Sequence, residues 1–451
     1  MARRFTMRRL LTVMCAVGVV GISSNAMASA FQLYEQDGAS VGDYHAGRAA
    51  QANSASTSFY NPAGMTRIRN QEFVIGDVAI LSDIKYRGSV TVNTLAGGTP
   101  QSVVAQGGAF SQIPDLFYVS PINDRLSFGF SVVAPFGLKT DYGRNTALRY
   151  AATATEVKVI DVSPSLAFKI TPKISVGAGF DWQRMTAEFD QDATLLGLTS
   201  TGTNNAKSTA YGYHVGALVQ ILPSARIGLA YNSQVVHHVR GSSKLYGAAT
   251  DFVTSLPFNG GTPTSIVSQS ANAHITLPAY TTLSGYYDLN DRWALMATTI
   301  YTQWSSFRNL QLNNIAVVDV TPAGLPVPSN SYVLNLPQDY RNSWNFSGGA
   351  EFKATDRTTL RGGLGYDESP VRNNYRDVRI PDGGRYAIAF GGHFQATKQL
   401  GFDLGWTHLF VVGSQNVTPP PLVVGGQVTT TNGTVQTAAD IFGGQFTWDI
   451  V

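Results

Sequence analysis

The residues of this chain that could perform chemistry are few, and they are not arranged for catalysis or metal binding. His237 and His238 are adjacent, so on a β-strand their imidazoles point to opposite faces and cannot chelate one metal ion together. Cys15 is the only cysteine, which excludes a disulfide and a thiolate metal site. No Gly-x-Ser-x-Gly segment or other signature selects a nucleophile with its base and orienting acid. The sequence therefore predicts no catalytic residues, no metal site and no cofactor, in a protein that is not an enzyme.

The first residues have the pattern of a secretory signal peptide. An apolar run from Leu10 to Ile22 is preceded by four arginines, Arg3, Arg4, Arg8 and Arg9. Ala26 and Ala28 then place small residues at the two positions that a signal peptidase reads. The apolar run has roughly a dozen residues, whereas a membrane-spanning helix needs about 20. We therefore predict that residues 1–28 are a signal peptide cleaved after Ala28, with cleavage after Ala30 as the alternative.

The composition indicates a membrane protein that crosses the bilayer with strands. Hydrophobic residues make up 43% of the chain and charged residues only 14%, against roughly 25% charged residues in an average soluble domain. After the signal peptide no stretch has about 18 consecutive apolar residues, so only a closed barrel could cross a bilayer. The 45 Gly, 20 Tyr, 23 Phe and 6 Trp are the small and aromatic residues of barrel lumens and interfacial girdles. A net charge of +3 is too small to indicate a nucleic-acid partner.

Alternation with a period of two residues recurs after about residue 72. In the stretch 174–183, Ile, Val, Ala, Phe and Trp alternate with Ser, Gly, Asp and Gln. The stretches 126–132, 386–394 and 400–406 alternate in the same way. In a barrel strand, one parity faces lipid and the other faces the lumen.

Turn residues set the number of strands. Short connectors of Pro, Asn, Asp or Thr occur at six places: 122–124, 171–173, 222–224, 289–291, 354–356 and 396–398. Longer polar stretches alternate with them at seven places, roughly 89–114, 140–155, 191–206, 242–267, 313–330, 367–383 and 413–438. Seven long loops and six tight turns give fourteen strands, with the tight turns and both mature termini in the periplasm. A soluble β-sandwich is the alternative, but it would not need so regular an alternation of turns.

The segment 29–70, before the first strand, does not alternate. A fourteen-stranded barrel has a lumen too wide for side chains alone to fill. The predicted fold is therefore all-β: a fourteen-stranded antiparallel transmembrane β-barrel, residues 71–451, with residues 29–70 as an N-terminal hatch (plug) inside the lumen. The alternative for this segment is a disordered periplasmic tail, although Phe31, Leu33 and Tyr34 favour burial.

Several short motifs resemble the FadL family of outer-membrane long-chain fatty-acid and aromatic-hydrocarbon transporters. They follow one another in the family's order over most of the mature chain: Phe31-Gln32-Leu33, Asn61-Pro62-Ala63, Pro121-Ile122-Asn123-Asp124, Trp304-Ser305 followed by Phe307, Tyr340-Arg341, Asp367-Glu368-Ser369-Pro370-Val371, Ile380-Pro381-Asp382 and Arg385. The resemblance implies a hatch, a surface groove among the outer loops, an apolar pocket inside the barrel, and sideways exit into the membrane beside a kinked third strand.

Two segments carry the implied lateral gate. Within the third strand, Pro135 removes a ladder donor and Gly137 allows the chain to bend, so pairing with a neighbouring strand should be interrupted. By the resemblance, Asn61, Pro62 and Ala63 form the hatch element beside this kink. The alternative for Asn61-Pro62 is a simple turn, because Asn before Pro frequently starts one.

The same resemblance gives candidates for ligand binding. Phe31 and Leu33 are expected to reach into the internal pocket, and a carboxylate ligand would need a cation there because a buried unpaired charge is costly. Arg184 and Arg308 are nearest to the family's basic positions, although each could equally be a solvated lumen arginine or an interfacial anchor. An outer groove has apolar candidates in two loops, for which ordinary loop packing is the alternative: Leu195, Leu196, Leu198, Phe252 and Val253.

The predicted function is passive, ligand-gated transport of hydrophobic compounds across the bacterial outer membrane, with lateral exit. The cargo stays open between long-chain fatty acids and aromatic hydrocarbons. The partners are a hydrophobic small molecule, outer-membrane lipids and lipopolysaccharide, and the barrel assembly machinery, with the protein as a monomer. The alternatives are a general diffusion porin, which would need an open lumen, and an outer-membrane enzyme acting on lipids.

Overall fold

The computed structural model describes residues 30–94, 97–411 and 413–450, so the predicted signal peptide lies outside the described residues. Within those ranges, fourteen strands form one closed antiparallel β-barrel. The ring closes because the first strand pairs with the last along its full length, from Gln71 opposite Ile450 to Asn93 opposite Val428. The predicted fold class and strand number are confirmed. No helix in the described ranges is long and apolar enough to cross a membrane.

The barrel strands are numbered here in chain order, and five of them consist of two segments. Their bounds are β1 Gln71–Asn93, β2 Pro100–Gln106 and Phe110–Pro121, β3 Leu126–Asp141, β4 Ala154–Thr171, β5 Ile174–Phe189, β6 Leu198–Leu222, β7 Ala225–Asn232 and Val235–Gly247, β8 Ile266–Leu277 and Tyr280–Asp288, β9 Trp293–Thr302 and Asn309–Val320, β10 Pro326–Pro337 and Ser343–Lys353, β11 Thr358–Asp367, β12 Arg385–Gln395, β13 Leu400–Val411, and β14 Gln427–Ile450.

The six predicted tight turns each join two consecutive strands, but several predicted long loops are shorter than expected. The stretch 313–330 is mostly strand, because β9 continues to Val320 and β10 begins at Pro326. Gln191–Leu195 forms a short hairpin with the start of β6, and the strands Gln415–Val417 and Leu422–Val424 pair with β14. These extensions lie at the loop end of the barrel, where a strand no longer needs an apolar lipid-facing parity. The alternation that marks strands is therefore lost in the sequence although the hydrogen-bond ladder continues.

Short helices lie among the loops. The helix Ala248–Thr254 follows β7, and 3-10 turns occur at Ala147–Tyr150, Pro257–Asn259 and Trp304–Ser306. The last of these lies inside the two-part strand β9 and matters for the site below.

The wall separates an apolar outer face from a polar inner face. On β4, Leu166 and Phe168 are about half exposed, whereas Ser165, the residue before Leu166, and the nearby Asp161 are buried. On β5, Phe180 is exposed while Asp181 is buried. Lipid contact on one parity and burial of polar side chains on the other are the pattern of a membrane barrel.

The buried parity packs against the segment that precedes β1. This N-terminal segment, Ala30–Asn70, contains the helices α1 Gly38–Val41, α2 Arg48–Gln51 and α3 Thr57–Tyr60 and the 3-10 helix Pro62–Arg67. Helix α1 contacts β12, β13 and β14, helix α2 contacts β7, β8 and β9, and the 3-10 helix contacts β4, β5 and β6. The segment therefore touches the inner face of strands around the whole ring.

Buried ion pairs and hydrogen bonds hold this segment to itself and to the wall. Arg48 binds Asp43 at 2.9 Å within the segment, and the Gln51 amide donates to Glu351 of β10 at 2.8 Å. The backbone amide of Gly47 donates to the Thr298 hydroxyl of β9 at 2.7 Å. Because buried polar groups are costly when unpaired, these contacts fix the position of the segment.

Candidate functional site

The wall is interrupted between β2 and β3. Their ladder ends where Leu116 pairs with Val132, although β3 continues beside β4 as far as Asp141. The β3–β4 register shifts between Val133 and Phe136, and Pro135 within this shift has no amide to donate. At the loop end the two strands meet again, where the Asp141 amide donates to the Gly107 carbonyl at 3.1 Å. One edge of β3 is thus not paired with β2 over this interval.

The N-terminal segment occupies this edge. The Leu33 amide donates to the Pro135 carbonyl, and the Gly137 amide donates to the Phe31 carbonyl, both at 2.9 Å. The Gln36 side chain donates to the Ala134 carbonyl and accepts from the Ala134 amide, both at 3.1 Å. The first described residues of the chain therefore act as a short substitute strand, a form of β-strand addition to an exposed edge.

This pairing places Phe31 in an aromatic pocket. Its ring centroid lies 4.7 Å from that of Trp304, 5.6 Å from Phe307 and 6.0 Å from Phe136, all in edge-to-face arrangements. Tyr340 completes the pocket, with its centroid 5.1 Å from that of Phe307. Such pairs contribute about 0.5–1.5 kcal/mol each beyond the burial of their surface. The pocket is therefore apolar, rigid and filled by the chain's own N-terminal segment.

Two polar atoms of this pocket have no partner. The Trp304 indole nitrogen and the Tyr340 hydroxyl are buried and make no hydrogen bond to any described residue. Buried donors are usually satisfied, and leaving one unpaired costs about 1–3 kcal/mol. The pocket therefore offers two free donors to an acceptor group that enters it.

The β11–β12 loop holds Ala30, the first described residue. The Ala30 amide donates to an Asp382 carboxylate oxygen at 3.0 Å, and the Ser369 hydroxyl donates to the same oxygen at 2.6 Å. Arg385 binds Asp367 at 2.7 Å and lies 3.6 Å from Asp382. The loop thus ties the N-terminal segment to the outer end of β11 and β12.

Arg379 of the same loop is a buried cation bound to neutral acceptors. Its guanidinium donates to the Thr155 hydroxyl, the Gln191 side chain and the carbonyls of Ala151 and Asp190. Burial lowers its pKa, because no carboxylate lies close enough to offset the loss of water. Among the described residues this is a basic group at the loop end of the barrel that sequence reasoning missed.

Asn61, Pro62 and Ala63 lie away from the kink in β3. The Asn61 amide donates to the carbonyls of Ala49 and of Ala217 on β6, and its oxygen accepts from the Ala63 amide. A Cβ added to Gly216 would lie 2.0 Å from the Asn61 oxygen, so β6 admits this side chain only because it has glycine there. The tripeptide is a helix cap against β5 and β6. The stretch Phe31–Gln36, and not Asn61–Ala63, lies beside Pro135 and Gly137.

The two arginines proposed for the pocket are placed on the outside of the barrel. Arg184 and Arg308 are both exposed, and neither is among the residues around Phe31. Arg184 continues the outward parity of Phe180 and Trp182 on β5, so its side chain faces the bilayer interface. The sequence already indicated this orientation, because Arg184 lies an even number of residues from the apolar side chains of 174–182 and therefore faces the same side of the strand. The location fits the alternative of an interfacial anchor.

The pocket residues were visible in the sequence only as members of motifs. Trp304, Phe307 and Tyr340 belong to motifs of the family resemblance, and nothing in the neighbouring sequence indicates that they share a pocket. Trp304 and Phe307 lie between the two segments of β9, and Tyr340 lies between the two segments of β10. The fold brings all three next to Phe31. Leu33 packs in a separate apolar cluster with Val41 and Val78, so Phe31 and not Leu33 enters the aromatic pocket.

An apolar site also exists among the outer loops. Leu195 and Val253 are buried against each other with Ala249, whereas Leu196, Leu198 and Phe252 are exposed. Exposed apolar side chains such as these can contact a hydrophobic molecule.

A serine, a histidine and an aspartate form a hydrogen-bonded chain on the inner wall. The Ser165 hydroxyl lies 2.9 Å from the His214 Nε2, and the His214 Nδ1 lies 2.5 Å from Asp181. All three are buried, and a Cβ on Gly179 would lie within 2.5 Å of both Ser165 and His214. Because all three side chains are buried and bonded to one another, this series of hydrogen bonds satisfies polar groups of the inner wall.

The fold and this site define an outer-membrane β-barrel transport protein. The family described as outer membrane protein transport protein (OMPP1/FadL/TodX) matches residues 19–449, and the chain belongs to this family. Its members are transporters of hydrophobic substrates and not enzymes.

Known relatives cover nearly the whole chain. Outer membrane protein P1 of Haemophilus influenzae is 27% identical in an alignment of 433 positions that covers 89% of this chain and 90% of that protein. The long-chain fatty acid transport protein of Escherichia coli (strain K12) is 24% identical, over 87% of this chain and 90% of that protein.

Solved structures agree with the architecture. The crystal structure of a Pseudomonas aeruginosa FadL homologue gives a TM-score of 0.80 at 26% identity, covering 93% of this chain and 99% of that chain. The Pseudomonas putida toluene transporter TodX gives 0.64 at 14% identity, covering 96% and 100%. The second similarity concerns the fold alone.

Proposed function

We propose that this protein carries hydrophobic small molecules passively across the outer membrane, and that its N-terminal segment is the hatch that a ligand displaces. The observation that carries the proposal is the pairing of Phe31–Leu33 with the free edge of β3. The same residues fill the aromatic pocket and cover the interrupted wall. One displacement would therefore empty the pocket and expose the interval between β2 and β3.

The route begins among the outer loops. A molecule bound by the exposed Leu196, Leu198 and Phe252 would pass to the aromatic pocket and compete with the Phe31 ring. Burial of apolar surface contributes about 25 cal/mol per Å². A ligand that buries as much apolar surface as the Phe31 ring therefore offsets the free energy lost when the ring leaves the pocket. Release of the Phe31 carbonyl from Gly137 then frees the β3 edge, and the ligand leaves sideways into the lipid.

The two unpaired hydrogen-bond donors in the pocket would distinguish one class of cargo from another. A fatty acid would bring a carboxylate that accepts from Tyr340 and Trp304, whereas an arene would leave both donors unpaired. The relatives include both chemistries by name, a long-chain fatty acid transport protein and a toluene transporter. We favour a molecule with an apolar body and a hydrogen-bond-accepting head group.

A general diffusion porin is the second candidate, and the packing of the N-terminal segment argues against it. The segment contacts strands around the whole ring and is tied to them by buried hydrogen bonds. An open aqueous channel would require this packing to be absent. We further propose that both mature termini face the periplasm, on the side of the tight turns.

A reversible disulfide tests the displacement. Gln32 and Phe136 face each other across the substitute strand pair, at the separation that a disulfide spans. The mature chain carries no cysteine, so Gln32→Cys with Phe136→Cys gives one defined bond. We expect the oxidised variant to lose uptake of long-chain fatty acids or aromatic hydrocarbons, and reduction to restore it.

The matched control is Arg87→Cys with Thr434→Cys, a cross-strand pair on β1 and β14 that does not involve the N-terminal segment. This disulfide should leave uptake unchanged in both redox states. Full uptake by the oxidised Gln32–Phe136 variant would show that the segment stays in place during transport, and the proposed gate would then be wrong.

A further inference from the structure

A row of cationic side chains crosses the outside of the barrel at the loop end of β4 to β7. Lys158 lies opposite Thr186, Thr186 opposite Lys207, and Lys207 opposite Arg240 on four neighbouring strands. Arg184 lies one outward-facing position nearer the membrane centre on β5. We call Lys158, Arg184, Lys207 and Arg240 the cationic face.

The cationic face lies just beyond the aromatic belt of the barrel. Trp182 on β5 lies opposite Tyr211 on β6, and Phe180 stacks on Tyr211 with ring centroids 5.6 Å apart. Lys207 lies four residues before Tyr211 on the same face of β6, or about 13 Å along the strand. Aromatic girdles mark the edge of the hydrocarbon region, so these cations are at the level of lipid head groups.

Three of these cations have no counter-ion within the part of the chain that the structure describes. Arg184, Lys207 and Arg240 are exposed and form no ion pair with any described residue. Lys207 and Arg240 are also direct cross-strand neighbours, an arrangement that is unfavourable for like charges unless an anion lies between them. Arginine and lysine side by side therefore indicate an external anion.

The surrounding surface has room for such an anion. Strands β4 to β8 form a hollow of about 610 Å³ whose lining includes Thr186, Asn205, Lys207, Arg240 and Ser242, together with the carboxylates of Glu156 and Glu188. Hydroxyl and amide groups of this lining can contact sugar hydroxyls, while the two cations contact phosphate. The acidic neighbours are Glu156 and Glu188 in the next row outward, and Glu156 is already bound by Lys139 and Lys158.

We infer that the cationic face binds the phosphorylated sugar head group of an outer-leaflet glycolipid of the lipopolysaccharide class. Its acyl chains would lie along the apolar outward parity of β4 and β5, including Ile160 and Phe180. The cations would contact the phosphate groups, the polar lining would contact the sugar, and the wall would contact the acyl chains. The inference does not depend on the cargo or on the gate.

Binding of diphosphoryl lipid A to the purified full-length barrel, measured by native mass spectrometry at fixed ionic strength, tests this site. The wild-type protein should bind one lipid A with preference over dephosphorylated lipid A and over phosphatidylglycerol. Lys207→Gln with Arg240→Gln should weaken the complex about 30-fold, because each cation near an anionic head group contributes roughly a factor of five.

Arg87→Gln is the control, since Arg87 is an exposed arginine on β1 outside the cationic face, and it should bind lipid A as the wild type does. Migration of unheated samples on a denaturing gel verifies that every variant forms the barrel. Unchanged binding by the double variant would overturn the inference. Equal binding of dephosphorylated lipid A, equal binding of phosphatidylglycerol, or an equal loss in Arg87→Gln would also overturn it.

Discussion

The Gly137 amide donates a hydrogen bond of 2.9 Å to the Phe31 carbonyl, and this bond joins the interrupted third strand to the N-terminal segment. The ring of the same Phe31 lies edge-to-face against Trp304. A single residue thus contributes its backbone to the wall and its side chain to the pocket. Any molecule that replaces the ring in the pocket also acts on the wall.

Removing the Phe31 ring should raise the affinity of the pocket for ligand. In Phe31→Ala the ligand no longer competes with a side chain whose burial contributes about 3 kcal/mol, so we expect at least about tenfold tighter binding. Binding of a fluorescent fatty acid to the detergent-solubilised protein measures this. Phe59→Ala removes a buried phenylalanine from a different cluster and should not change the affinity. Equal affinities in all three proteins would contradict a competing Phe31.

Gly216→Ala should loosen the N-terminal segment from the wall. The added Cβ would lie 2.0 Å from the Asn61 side-chain oxygen and 3.1 Å from Pro62, so the 3-10 helix must shift by more than a rotamer change allows. We expect leakage of small ions, measured as increased conductance in planar bilayers, with barrel assembly intact. Gly285→Ala on β8 meets no atom within 4 Å and serves as the matched control. Silent channels in Gly216→Ala would show that this contact does not hold the segment.

Tyr340→Phe distinguishes the two classes of cargo. The substitution keeps the aromatic ring and removes a buried hydroxyl that has no partner, so the barrel should lose no stability. If the cargo has a carboxylate, its hydrogen bond to a neutral donor is worth about 1.5 kcal/mol or more, and affinity should fall about tenfold. Isothermal titration with a long-chain fatty acid and with toluene measures both. An arene should bind equally to the variant and the wild type, and an unchanged fatty-acid affinity would remove Tyr340 from head-group recognition.

The loop end of the barrel should become less stable as pH rises from about 4 to about 6. Burial, with a contribution from Glu188, raises the pKa of Asp190 from 3.8 to about 6. The folded pKa is above the unfolded one, so ionisation of Asp190 destabilises the folded state. This cost is absent below pH 3.8 and complete above pH 6, and it amounts to about 2 kcal/mol once solvent screening of the carboxyl group is included. Protease cleavage of the loops should therefore accelerate over this range and level off above it.

Asp190→Asn keeps an oxygen that can accept from the Asn204 amide and removes the titrating group. Its cleavage rate should be low and nearly constant between pH 4 and pH 7. A variant that retains the full pH dependence would assign the effect to other carboxyl groups at this end, such as Asp192, whose pKa is also raised by burial.

The position of Arg184 shows how much could be predicted from local pattern and where interpretation failed. Its outward orientation follows from the period of two residues that predicts β5, whereas the family resemblance suggested a place in the ligand pocket. Arg379, by contrast, is in a loop without alternation, and only the fold brings it to Ala151 and Gln191. The length of the strands beyond the membrane could not be predicted from the sequence either, because strands that face solvent, such as 309–320, need no alternating apolar residues.

The sequence by itself determined that the chain is a fourteen-stranded outer-membrane barrel with a separate N-terminal segment. Those features depend on alternation and turn residues, which act between near neighbours in the chain. Only the tertiary structure decided that Phe31–Gln36 pairs with the β3 edge, that Phe31 lies against Trp304 and Phe307, and that Asn61 caps a helix against β6. These contacts join residues far apart in sequence, and burial and hydrogen-bond satisfaction across the closed barrel select them.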